Sequence, residues 1–383
     1  MIPCAESLHP RTPRGTVRED GMKALALVDS PDHVCCRYRV RAFERALADS
    51  GWSLVIEGLA RGTLGRGSQL ARAARFDAVV LQRKLLPGWQ LHALRRWSRR
   101  LVFDVDDAVL YRDSYDPRGP HCRRRAGRFA STVRMADLVI AGNDFLAERA
   151  LEAGAQADHV RVIPTCVEVD RYRPRAGPDA HGSGMDLVWI GSSSTLQGLE
   201  LRRALWERLG REVPGVRLRV VCDRFPRFDP LPVVAVLWSE ATEADALVAG
   251  DVGISWVPDD LWSRGKCGLK VLQYQAAGLP VIANPVGVQA AMIAPGVSGF
   301  LAGTDDAWVE AVRTLAGDPD LRLRMGAAAR AAVASNHAVA AWSPAFVAAV
   351  SGAGAGGHRA VRGDNGCGRM HHRGTRVLHR HAD

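Results

Sequence analysis

The stretch "RGKCGLKVLQYQAAGLPVIANPVG", residues 264–287, sets two lysines, Lys266 and Lys270, among the glycines Gly265 and Gly268. Leu269, Leu272, Ala276 and Ala277 follow at helical spacing, which predicts a helix from near Lys266 to Gly278 and then a buried strand from Leu279 to Ala283. A helix that opens in a glycine loop directs free N–H groups and the positive end of its dipole outward. With two ammonium groups beside it, that start is an anion site in outline. A second group, Ser192 and Ser193 with Ser194 and Thr195, offers hydroxyl and backbone donors suited to a phosphate or a sugar, or else to capping a helix. A third lies in "FDVDDAVL", where Asp104 ends a strand and Asp106 and Asp107 occupy the loop beyond. Carboxylates there can take a proton from an acceptor hydroxyl, hold it by hydrogen bonds, or cap a helix. Arg37 and Arg39, with Arg83 and Lys84 after a later strand, suit an anionic acceptor.

These groups need elements to position them, and the chain supplies short apolar strands alternating with helices. The first series of strands runs Lys23–Val28, Ser53–Glu57, Asp77–Leu81, Leu101–Asp104, Leu138–Ala141 and Val160–Ile163. The second runs Leu187–Gly191, Arg217–Cys222, Val233–Trp238, Val252–Trp256 and Pro280–Ala283. Such alternation predicts parallel sheets covered on both faces. The fold class expected is α/β, two doubly wound Rossmann-like domains facing a cleft, over residues 22–172 and 185–350. Residues 173–184, "RPRAGPDAHGSG", read as the linker between them.

The 383 residues are 47% hydrophobic with mean hydropathy −0.08, enough for two proper cores. No apolar run approaches the ~20 residues that span a bilayer. Residues 1–21 lack the apolar centre of a secretory signal and read as a disordered extension, with Met22 opening the folded part. Residues 351–383 are rich in Gly, Arg and His and read as a disordered tail, in which His371, His372, His379 and His381 suit adventitious metal binding or, as the stronger explanation, simply a flexible His-rich segment. Eight cysteines without C-x-x-C spacing point to reduced thiols and a cytoplasmic location. A net charge of +10 favours anionic partners. Nucleic acid is not expected among them, since aromatic residues are sparse and no recognition motif is present. The runs "RRWSRR" (95–100) and "RRRAGR" (123–128) suit peripheral contact with an acidic membrane, or simply solvated helix faces. No G-x-G-x-x-G follows the first strand of either series, which argues against a dinucleotide cofactor.

Three segments, "KVLQYQAAGLPVIANPVG" with "GVSGFLA" after it, "ADLVIAGNDFLAERA" and "VIPTCVEVDRYRP", together resemble the GT-B glycosyltransferases of family four. The resemblance runs from about residue 23 to 345 and implies transfer of a sugar from a nucleotide-diphosphate donor to a glycan or lipid-linked acceptor, with retention of configuration. It places the donor on the second domain and the acceptor on the first. It implies that "GKCGLKVLQ" occupies the family's Glu, seven residues, Glu slot, so Gly265 stands where the first acid faces the donor sugar. Gln273 stands where the second meets the ribose. Lys266 and Lys270, with Arg264, replace the Arg and Lys that members carry after the first strand of the second domain. The "DVDD" spacing is similar to the metal-binding D-x-D of the other large glycosyltransferase fold. GT-B enzymes work without a bound metal, so neither metal nor cofactor is expected beyond the nucleotide sugar. Two further readings remain: a non-catalytic nucleotide-sugar-binding or partner subunit, and a GT-B epimerase or phosphorylase.

Overall fold

The structure is a computed structural model and describes residues 21–174 and 184–353. The extension, most of the expected linker and the tail beyond residue 353 lie outside the described residues.

Six strands form the first sheet: β1 Met22–Val28, β2 Trp52–Gly58, β3 Ala78–Gln82, β4 Leu101–Val105, β5 Leu138–Ala141 and β6 Val160–Val162. Six more form the second: β7 Met185–Ile190, β8 Val216–Cys222, β9 Val233–Leu237, β10 Val252–Ser255, β11 Val281–Ala283 and β12 Gly299–Leu301. The orders are β2-β1-β3-β4-β5-β6 and β12-β11-β10-β7-β8-β9, with every pairing parallel. The central strands are buried along their whole length because helices cover both faces, which is why they read as continuous rather than alternating apolar runs. β12 has no counterpart among the expected strands, being three residues of which only Gly299 is fully buried.

In each sheet the strand order reverses next to the first strand, between β1 and β3 and between β7 and β10. Loops leaving those strands at their C-terminal ends part there and leave a crevice. Each sheet has its own apolar cores, Leu25, Leu81, Phe103 and Phe129 in one, Leu187, Trp206, Val220 and Trp308 in the other.

The last helix departs from the expected division of the chain. The expected second domain ends at residue 350, but the helix Val339–Ser351 at its end packs on the first sheet. Phe346 stacks on Phe43 with ring centroids 4.2 Å apart, and Arg100 donates to the Ala349 carbonyl at 2.9 Å. Its small apolar residues gave no indication of which sheet they would cover.

Candidate functional site

The helix of the glycine-lysine stretch is shorter than its periodicity suggests, running Leu269–Ala276. Gly268 precedes it in the left-handed conformation, φ 68° and ψ 22°, with no side chain capping the first turn. The left-handed conformation favours glycine, and a β-carbon at Gly268, 2.5 Å from the Met292 sulfur, would also make that flexible side chain move. Lys266 therefore sits in the preceding loop, while Lys270 stands in the first turn.

Lys270 is partly buried, its ammonium 4.2 Å above the Trp189 ring. Among the described residues no carboxylate comes within ion-pair distance of it. Burial first, and then the charge of Lys266, bring its pKa down to about 7. Lys266 lies 5.6 Å above the Trp262 ring and 4.0 Å from Asp107 Oδ1. Arg264 is exposed and paired with Asp259 at 2.8 Å, away from this pair. The arrangement is a partly desolvated cation beside uncapped N–H groups, which an anion would satisfy.

The carboxylate loop approaches from the other sheet. Gln82 donates to Asp106 Oδ1 at 3.3 Å, Arg83 Nε is 3.6 Å from the same oxygen, and Arg83 Nη2 bonds Asp107. Burial raises the Asp107 carboxyl above the ordinary carboxylate range, against the opposing charges of Lys266 and Arg83. Arg83 carries a positive φ of 48° and also donates to the Cys35 sulfur at 2.5 Å. Donor atoms of Cys35, Asp106 and Asp107 fall within 4.8 Å of one another, and the positive charge among them is the Arg83 guanidinium. Burial, then the charge of Asp106, pushes the Cys35 thiol well above its usual range.

Asp104 points the other way. It is fully buried and takes Arg39 at 2.5 Å and 3.3 Å, while Arg39 also donates to the Ile163 carbonyl at 2.8 Å. Arg39, expected to hold an acceptor, is 1% exposed and serves as this buried partner instead. Arg37 is likewise committed, reaching Glu243 at 2.8 Å and 3.0 Å. Around that pair Tyr38 donates to Glu243 at 2.9 Å, Trp238 donates at 2.9 Å, and the Tyr38 and Tyr172 hydroxyls lie 3.2 Å apart. Gln273 donates to the Tyr38 hydroxyl at 3.0 Å and is 3% exposed. Its amide is turned into this network. The glutamine stands where the family pattern has its second acid, and its partner comes from the helix Val34–Arg39, more than two hundred residues away.

Gly265 has a contact of its own. A β-carbon there would sit 2.5 Å from Ala108 Cβ and 2.9 Å from the Ala108 nitrogen, so the carboxylate loop closes against it. Asn143 donates to the Gly265 and Lys266 carbonyls at 3.1 Å and 3.2 Å, and the Cys267 thiol donates to the Asp106 carbonyl at 3.2 Å. Ser114 and Ser263 hydroxyls meet at 3.0 Å across the same seam. Asn143 was not singled out from the sequence; its signal was its place as a helix cap straight after β5, where its side-chain oxygen accepts from Leu146.

The serine loop after β7 is largely satisfied within itself. Ser192 and Ser194 hydroxyls lie 2.8 Å apart, Thr195 Oγ1 accepts from the Ser192 nitrogen, and the Ser193 nitrogen donates to Asp223 at 2.7 Å. That carboxylate is poorly placed to share the loop with a phosphate. The structure thus brings together Lys266, Lys270, Gly268, Asp106, Asp107 and Gly265, and places Arg37, Arg39 and Gln273 in buried pairs.

Residues 261–332 match the family described as glycosyl transferases group 1. A D-inositol 3-phosphate glycosyltransferase of Corynebacterium jeikeium is 27% identical over 246 residues, covering 55% of this chain and 56% of that one. One of Nocardia farcinica is 30% identical over 227 residues, covering 51% and 48%. The chain thus spans about half the length of these two relatives. Among solved structures, Anabaena HepE in complex with UDP and glucose superposes with a TM-score of 0.62 at 16% identity, covering 86% of this chain and 100% of that one. Sucrose-phosphate synthase of Thermosynechococcus elongatus gives 0.65 at 16%, covering 85% and 97%. The fold is therefore that of the GT-B glycosyltransferases, and residues 261–332 are a glycosyl transferases group 1 segment.

Proposed function

We propose that the chain transfers a glycosyl group from a nucleotide-diphosphate sugar to a hydroxyl of a glycan or lipid-linked acceptor, with retention of configuration. The observation that carries this is Lys270: a partly buried ammonium with no carboxylate partner among the described residues, at an uncapped helix start, inside the matched segment. In the reaction the bond from the anomeric carbon to the diphosphate oxygen breaks, and negative charge grows on the leaving group. Lys270, Lys266 and the free N–H groups of the Leu269–Ala276 helix meet that charge as it develops, which lowers the barrier. The acceptor oxygen forms the new bond and gives up its proton, for which the carboxylate is Asp107, 4.0 Å from Lys266, with the buried Asp106 beside it. No cofactor or metal enters this scheme beyond the nucleotide sugar itself. HepE was solved with UDP and with UDP-glucose, which favours a uridine donor, and the D-inositol 3-phosphate enzymes favour a hydroxyl-rich acceptor. A lipid-linked acceptor would bring the chain to a membrane surface.

A nucleotide-sugar-binding subunit without turnover is the second reading, favoured by the absence of a carboxylate at Gly265. Thermal unfolding with UDP, GDP and ADP separates these from no donor site at all. A ligand at ~100 times its dissociation constant should add about 2.7 kcal/mol to the unfolding free energy. Stabilisation by one nucleotide with release of that nucleotide from its sugar supports transfer; stabilisation without release supports the subunit; no stabilisation by any overturns both.

A further inference from the structure

Residues 59–76, 78–103 and 117–136 contain sixteen lysines and arginines and not one aspartate or glutamate. They form three consecutive helices on the first sheet, Thr63–Arg72, Gly88–Trp97 and Arg123–Met135. The arginines at the far ends of the first two find acids from neighbouring elements: Arg72 pairs with Glu57, Arg95 with Asp137 at 2.9 Å and Arg99 with Asp77 at 2.9 Å. At the near ends Arg83, Lys84 and Arg118 still pair with acids, but most of the arginines do not. Among the described residues Arg61, Arg66, Arg123, Arg124, Arg125 and Arg128 have no carboxylate within ion-pair distance.

The starts of the three helices are tied side by side. Arg66 donates to Gln90 at 3.0 Å and Arg128 to the Leu85 carbonyl at 3.4 Å. The same edge carries Leu64, 90% exposed, and Trp89, 54% exposed, each in the first turn of its helix. Three arginines open the third helix, with no acid in its first turn and no side-chain cap. Cations at a helix start oppose its dipole and cost stability. A local rule broken this way, beside two exposed apolar side chains, marks a surface kept for a partner.

We propose that the starts of these helices form a docking face for an anionic lipid bilayer, with Trp89 and Leu64 entering the headgroup region and the exposed Arg61, Arg123 and Arg124 meeting lipid phosphates, while Arg66, Arg125 and Arg128 are held by backbone carbonyls and add their charge from behind. Charge complementarity calls for an anionic surface, and the two apolar tips call for one with a hydrocarbon layer beneath its charge. No described helix is long and apolar enough to cross a membrane, so the contact is peripheral. The helices follow β2, β3 and β4, so the face adjoins the edge that bears Arg83, Asp106 and Asp107. This inference does not rest on the transfer reading, because it is measured without nucleotide or turnover.

The test is co-sedimentation of the full chain with vesicles of phosphatidylcholine alone or with one-third phosphatidylglycerol. Binding should require the anionic lipid and weaken with salt. Arg123→Gln with Arg124→Gln should lower the partition coefficient by roughly thirtyfold, taking the usual attraction per arginine near such a surface. Trp89→Ala with Leu64→Ser, at unchanged charge, should lower it by about tenfold or more, and the blue shift of tryptophan fluorescence on binding should be lost in Trp89→Ala. Circular dichroism and melting temperature show that each variant is folded. Absence of binding to anionic vesicles at low salt overturns the proposal. So does vesicle binding indifferent to Trp89 and Leu64 and matched by binding to heparin, which would make the face a general polyanion surface.

Discussion

Binding of a nucleoside diphosphate at pH 8 should draw about 0.9 of a proton from solvent, and Lys270→Met should abolish that uptake. Burial and the neighbouring Lys266 bring the Lys270 pKa to about 7, so one unit above it roughly nine molecules in ten hold a neutral amine. A bound diphosphate supplies the missing anion and keeps the ammonium charged. The ligand's own last ionisation, near ~6, is complete at pH 8, so the proton comes to the protein. Calorimetry in two buffers of different ionisation enthalpy counts it directly. Losing the charged contact should also cost about 1.5–3 kcal/mol of binding at pH 7. The same shift sets a stability slope of known sign. Lys270 has a lower pKa folded than unfolded, so the unfolded chain holds the extra proton between about 7 and 10.5, and unliganded stability rises with pH across that window. Lys270→Met should flatten the rise. Heat independent of buffer at pH 8, or uptake unchanged in Lys270→Met, would refute the placement of the anion.

Asp107→Asn should leave nucleotide affinity intact while turnover falls by about a hundredfold or more, and wild-type turnover in both Asp107→Asn and Asp106→Asn removes this loop from the chemistry. Gly265→Glu, which installs the acid found in the family's slot, should destabilise by about 1–3 kcal/mol in urea because its β-carbon meets Ala108. Stability equal to wild type would show that the seam yields. Glu243→Gln takes from the buried Arg37 guanidinium the closer of its two carboxylates, leaving Glu240 at 3.4 Å, and should cost about 3 kcal/mol, whereas a loss below ~1 kcal/mol would mean water or Glu240 makes up the charge.

Much of this was legible in the chain itself. Strand runs such as Leu101–Asp104 and Leu138–Ala141 announced buried parallel sheets because both faces had to be apolar, and a glycine loop ahead of Leu269 announced an exposed helix start. Charge was less legible than pattern. Arg37 and Arg39 read as open cations because the sequence displays an arginine's charge but not its partner, and Glu243 and Asp104 reach them only through the fold. Lys270 was identifiable for the opposite reason: nothing acidic lies near it in sequence, and nothing acidic pairs with it among the described residues. Gln273 shows how a motif position can hold a partner that the sequence does not display, since Tyr38 reaches its amide from the other half.

Cys267 gives the seam a consequence in time. The residue belongs to the loop before the Leu269–Ala276 helix, yet its side chain packs into the apolar cluster of the first sheet and is 7% exposed. Its cover is supplied by Asp106, Asn143 and Gly142, all from the other half of the chain. A thiol hidden in that way reacts with a reagent only while the halves stand apart, so its modification rate measures the fraction of molecules open at any moment. Cys35, held by Arg83 of its own half, keeps its surroundings through the same motion and serves as the internal clock. The ratio of the two rates would show how often the cleft admits a donor, without any substrate having been identified.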